Sequence, residues 1–206
     1  MSGIIAQNSG RHTGLVKASS GGGGVWNKIE TLTASNSATL SFTSGINSTY
    51  NEYVFKFINV HPVDNATMFT FQADTGTNTN YNQTITSTVW NAGHAESGSE
   101  TIGPSVQSTM DQGQGTSFQK LANNTGNEND ESISGFLTIY NPSSSTYIKH
   151  FVSRISEVHN ENYNFDTYTS GYINTATAKT TFQFKFESGN IDTGTISLFG
   201  ISWLLD

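Results

Sequence analysis

Thr181-Phe182-Gln183-Phe184-Lys185-Phe186-Glu187 sets three phenylalanines two residues apart, each followed by a polar or charged residue. Successive side chains of a β-strand point to opposite faces, so this stretch reads as a strand with one apolar and one wet face. Gly189, Asn190, Asp192 and Gly194 then read as a loop, and Thr195 to Trp203 as a closing strand.

The same alternation extends toward the amino terminus. Leu40 and Phe42 share a side, as do Phe69 and Phe71. Tyr53, Phe55 and Phe57 share one face of residues 52–61, with Val54, Ile58 and Val60 opposite, so both faces are expected to be covered, as in a central strand. Residues 84–90 read as a further strand. In Ile133 to Tyr140, Ile133, Gly135, Leu137 and Ile139 alternate with Ser134, Phe136, Thr138 and Tyr140. A turn at Asn141-Pro142-Ser143-Ser144 leads into Tyr147 to Val158, whose far end has no cleanly apolar face and is expected to be exposed. Residues 74–82 read as a turn-rich loop. Residues 91–132, with Gly93, Gly98, Gly103, Pro104, Gly113, Gly115 and Gly126, predict long excursions between strands.

Among 206 residues only 12% are charged and 34% hydrophobic, and the remainder is rich in Ser, Thr, Asn, Gln and Gly. That balance favours strands and turns over helices. A chain of this length suits one core that buries about 70% of the unfolded surface. Eight or nine short strands without a convincing helix predict an all-β fold, an antiparallel β-sandwich of jelly-roll type with an extended N-terminal arm, ahead of a closed barrel. The sandwich is expected over residues 25–206, and an anchoring arm over 1–24, hinged at Gly21 to Gly24.

A net charge of −7 gives no electrostatic footprint for nucleic acid or an anionic membrane. No apolar run approaches the about 20 residues that span a bilayer, and polar residues interrupt Met1 to Leu15 where a signal peptide needs its hydrophobic stretch, so synthesis in a cytoplasm is expected. There is no cysteine, and His12, His61, His94, His150 and His159 lack metal-ligand spacing. Glu128, Asp130 and Glu131 lie too close together for a glycosidase pair and without the alternating ligands of a calcium loop. No serine stands in a Gly-x-Ser-x-Gly elbow, so neither a catalytic site, a metal nor a cofactor is expected. Tyr81, Trp90, Tyr163, Tyr168 and Tyr172, read as loop residues, are candidates first for a subunit interface, next for core or loop packing, and last for a carbohydrate platform.

Three stretches resemble structural proteins of tailed bacteriophages. One is Ser134-Gly-Phe-Leu-Thr-Ile-Tyr-Asn-Pro142 with Tyr147-Ile-Lys-His-Phe151. The second is the final hairpin, Ser188 to Ile191 followed by Gly194 to Ile201. The third is Phe42-Thr-Ser-Gly-Ile46 with Tyr50, Tyr53, Phe55 and Asn59-Val60. The opening, Ser2 to Lys17, is similar to the amino-terminal arms of those proteins. The resemblance implies a non-enzymatic virion part, most simply a capsid decoration or cement protein. In that role the arm clamps coat subunits, with Ile4, Ile5 and Leu15 in shallow pockets and Arg11 on a carboxylate. It implies a homo-oligomer, with a trimer favoured. The alternative is the head of a short tail fibre, whose loops at 74–132 and 159–175 recognise a host glycan.

Overall fold

In the computed structural model, residues 25–202 are described, and they form twelve strands and no helix. The strands are β1 (Val25–Thr33), β2 (Leu40–Phe42), β3 (Glu52–Pro62), β4 (Phe69–Asp74), β5 (Ile85–Ala95), β6 (Thr101–Val106), β7 (Gln119–Lys120), β8 (Ile133–Tyr140), β9 (Lys149–His159), β10 (Tyr163–Ile173), β11 (Thr181–Phe186) and β12 (Ile191–Ser202). The expected arm, with Ile4, Ile5, Arg11 and Leu15, lies outside the described residues, as does Trp203.

Every strand pairing is antiparallel. One sheet has eight strands in the order β1-β12-β3-β8-β9-β10-β5-β6, and the other has four in the order β2-β11-β4-β7. The two sheets enclose one hydrophobic cluster, so the fold is an all-β antiparallel sandwich. Setting aside β5, β6, β9 and β10 leaves β1-β12-β3-β8 facing β2-β11-β4-β7. That order is compatible with a jelly roll. β9, β10, β5 and β6 then widen one sheet to double its breadth.

Phe184 is the centre of the core. Its ring lies 4.9 Å from that of Phe55, 5.4 Å from Phe57, 6.0 Å from Phe69, 6.1 Å from Phe42 and 6.4 Å from Phe71. Phe182 and Phe186 are buried on the same face, as the period-two reading requires. Burying each such ring contributes about 2–3 kcal/mol relative to leaving it in water.

Two inner-face readings change. Val60 lies in the core while Ile58 is 54% exposed, because the β3–β8 register shifts between Phe57 and Val60 and Asn59 takes φ +48°. The extra residue turns Val60 from the outer to the inner face. The far end of β9 is also not wet on both sides, since Ile155, Glu157 and His159 are buried.

The segment expected as long excursions contains the β5–β6 hairpin and β7, and its residues 107–126 cover the inner face of β5, β9 and β10. Ser87 Oγ donates to Gln119 Oε1 at 2.6 Å, the Gln112 amide donates to Ser87 Oγ at 3.0 Å, and the Asn123 amide donates to Glu157 Oε2 at 2.7 Å.

Candidate interaction face

The outer face of the eight-stranded sheet carries the feature that stands apart. An antiparallel strand with one face in the core ordinarily turns polar residues to water. Here Trp26 is 50% exposed, Trp90 39%, Phe136 37%, Val152 37% and Val106 65%, all on strands of that sheet.

Register aligns the central residues. Lys56 on β3 is opposite Phe136 on β8, Phe136 opposite Arg154 on β9, Arg154 opposite Tyr168 on β10, Tyr168 opposite Trp90 on β5, and Trp90 opposite Val106 on β6. Directly opposed residues share a face, so these six form one row across the sheet, perpendicular to the strands.

Trp90 and Tyr168 stack with centroids 4.2 Å apart and planes 3° from parallel. The Arg154 guanidinium carbon lies 5.0 Å from the centroid of Tyr168, so charge and ring attract. Arg154 also donates through Nε and Nη2 to the two oxygens of Asp166, at 2.9 and 2.8 Å, and this pairing raises the pKa of the guanidinium. The planar fork locks the arginine in one orientation. At the other end of the sheet Trp26 packs edge-on against Phe199 at 5.3 Å, and Lys56 Nζ lies 5.2 Å over the Trp26 ring.

Two depressions break the face. One, of about 360 Å³, is lined by Ser134, Gly135, Phe136, Arg154, Ser156, Asn164 and Asp166. The other, of about 340 Å³, lies between Trp90 and Pro104, Ser105 and Val106.

The five aromatics singled out in the sequence do not assemble into one site. Trp90, Tyr163, Tyr168 and Tyr172 lie on strands rather than loops, because residues 163–173 form β10, paired on both sides along its length. Tyr163 sits at the start of β10, where its hydroxyl donates to Glu100 Oε2 at 2.9 Å, and that bond raises its pKa. Tyr172, near the other end, meets the ring of His150 at 6.1 Å. Tyr81 is only 8% exposed, with φ +49° and its amide held by Asp74 Oδ2 at 2.9 Å. Only Trp90 and Tyr168 come together, and Tyr168 has a ring on one side and a guanidinium on the other.

Lys56, Phe136, Arg154, Asp166 and Val106 complete the face but did not stand out in the sequence. Their signal was present in part, since Phe136 and Arg154 occupy the polar phase of alternating strands. What brings them together is cross-strand register, which no single strand carries.

The strongest perturbed carboxyl lies on the inner side. Glu157 on β9 is 1% exposed, and burial pushes its pKa up to about 8 against the opposing hydrogen bonds from the Asn123 amide and Thr167 Oγ1. Lys149 and Lys179 are also buried, and desolvation lowers the pKa of each. Lys149 Nζ donates to the carbonyls of Tyr147, Thr175 and Ala176, and Lys179 Nζ donates to Gln83 Oε1 at 2.7 Å. These ammonium groups hold loops in place. Among the described residues no group of three or more His, Cys, Asp or Glu is arranged to hold a metal ion.

The chain matches no known protein family, no curated protein and no solved structure.

Proposed function

We propose that this chain is a non-enzymatic structural subunit of a tailed-bacteriophage virion, most simply a head decoration or cement protein, that works by protein–protein contact through the outer face of its large sheet. The observation that carries the contact is the row Lys56, Phe136, Arg154, Tyr168, Trp90 and Val106, where solvated strands would place small polar residues. Aromatic residues and arginine are the side chains that dominate association energetics, because they bury large area with few rotatable bonds and keep a polar handle. The virion setting rests on the resemblance of Ser134 to Pro142, the final hairpin and Phe42 to Ile46 to tailed-phage structural proteins.

The test is fractionation. A tagged chain produced from its own genome should band with particles in a density gradient and be lost from them when Trp90 and Phe136 are both replaced by Lys. A chain that stays wholly at the top of the gradient, away from particles, would overturn the virion assignment.

A further inference from the structure

The order of residues along the row has a symmetry of its own. From β3 to β10 it runs Lys56, Phe136, Arg154, Tyr168: cation, ring, cation, ring. Read backwards, it becomes ring, cation, ring, cation. A two-fold axis lying in the contact plane, parallel to the strands and above the seam between β8 and β9, reverses the row and keeps its height. A second copy placed by that axis sets Lys56 against Tyr168 of the second copy, and Phe136 against Arg154 of the second copy. No cation is then set directly against a cation: Arg154 faces Phe136, and Lys56 meets the rim of Tyr168, whose two faces Trp90 and Arg154 already cover.

We propose that the occupant of the outer face is a second copy of this chain, packed face to face about that axis. The inference rests on the interaction-face part of the reading above and is independent of the virion assignment.

Three features favour a second copy. The contact is self-complementary, as an isologous interface must be. Charge agrees, because Asp166 lies one outward position along β10 from Tyr168, so Lys56 also approaches the carboxylate of Asp166 in the second copy. Size agrees too. Eight strands about 4.8 Å apart span about 34 Å, and paired stretches of about six residues at about 3.3 Å each extend about 20 Å. The resulting plan area of about 700 Å² is close to the about 800 Å² per partner of a stable interface. The rim positions opposite Trp90 and Val106 of the second copy would be Ser197 and Thr31, small residues that leave room for the larger side chains.

The experiment is sedimentation of the full chain, with Lys56→Glu and Asp166→Lys made separately. The expected result is a two-copy species for the native chain and at least tenfold weaker association for each single variant. Association should be restored when the two variants are mixed. In the mixed pair one contact reads Glu against Lys and the other Lys against Asp, so both are attractive, whereas each variant alone repels itself at both. Lys120→Glu, on the small sheet, should leave association unchanged.

Fluorescence provides a measurement that needs no variant. Dilution of the native chain should shift tryptophan emission to longer wavelength in step with dissociation, as Trp26 and Trp90 become wet. A single-copy species at every concentration, a trimer insensitive to both substitutions, or emission unchanged through dissociation would each overturn the proposal. If native association and rescue hold while the chain never bands with particles, the face-to-face pairing stands and the virion assignment falls.

Discussion

The two sheets turn very different outer faces away from the core. On the small sheet, the residues of β4 that point outward are Thr70, Gln72 and Asp74, and all three are fully buried because the chain folds its own loops over them. Gln72 Nε2 donates to the carbonyls of Gln83 and Ser117 at 2.9 and 3.1 Å. Asp74 accepts from the amides of Thr75 and Tyr81 and from Gln83 Nε2, at 2.8, 2.9 and 3.1 Å. On the large sheet, the central outward row is largely aromatic and cationic, and Lys56, Phe136, Arg154, Trp90 and Val106 remain exposed. A polar surface is thus covered by loops from within the chain, where Gln72 and Asp74 meet partners of fixed position. An aromatic surface is left for a partner, where burial depends on area and shape. The difference is between hydrogen bonds that specify one internal arrangement and rings that gain from any well-fitted neighbour.

The largest effect is expected where the covered face is broken. Asp74→Ala leaves the Thr75 and Tyr81 amides unpaired and removes the charge nearest buried Lys179, so it should destabilise the fold by about 3 kcal/mol in urea unfolding. Gln72→Ala should cost about 2 kcal/mol, because it frees the carbonyls that tie residues 83 and 117 to β4.

A third covered surface, the inner face of β9 under residues 107–126, should reveal itself through pH. The pKa of Glu157 is raised to about 8 in the folded chain from an ordinary 4.5, so its contribution to stability is full below pH 4.5 and is lost as pH rises toward 8. Burial lowers the pKa of His159 from 6.5, which acts in the opposite sense below that value, so pH 6.5 to 8 isolates the carboxyl. Over that window stability should fall by at most about 1.4 kcal/mol per pH unit, and Glu157→Gln should flatten the profile. A native profile that rises with pH there would be inconsistent with a buried, uncharged Glu157.

The smallest effect belongs to the uncovered face. Trp90→Ser should change the stability of the single-copy chain by less than about 1 kcal/mol, measured by thermal unfolding under dilute conditions, while weakening association. A loss as large as that of Asp74→Ala would mean that the ring contributes to the fold itself.

Strands with one apolar face were legible from their own residues. Phe182, Phe184 and Phe186 announce β11, and Ile133, Leu137 and Ile139 announce β8, because burial on one side imposes period two. β10 escaped notice because its inner face carries Phe165, Thr167, Thr169 and Gly171 while its outer face carries Asp166, Tyr168, Ser170 and Tyr172, so neither side is consistently apolar. The far end of β5 and all of β6 were hidden likewise, since β6 is a wet edge strand carrying Gly103 and Pro104, whereas residues 84–90 were read as a strand. Proline at an edge is tolerated because no ladder bond is lost on the solvent side.

Composition and alternation, then, were enough to fix an all-β chain with a phenylalanine core, because a strand's two faces are written in consecutive residues. Which outward residues become neighbours was decided only by the tertiary structure. Lys56, Phe136, Arg154, Tyr168, Trp90 and Val106 are separated by as many as 112 positions, from 56 to 168, and meet because five pairings share one register. Register depends on turns, bulges and the packing of the opposite face, which are properties of the whole sheet and not of any one strand.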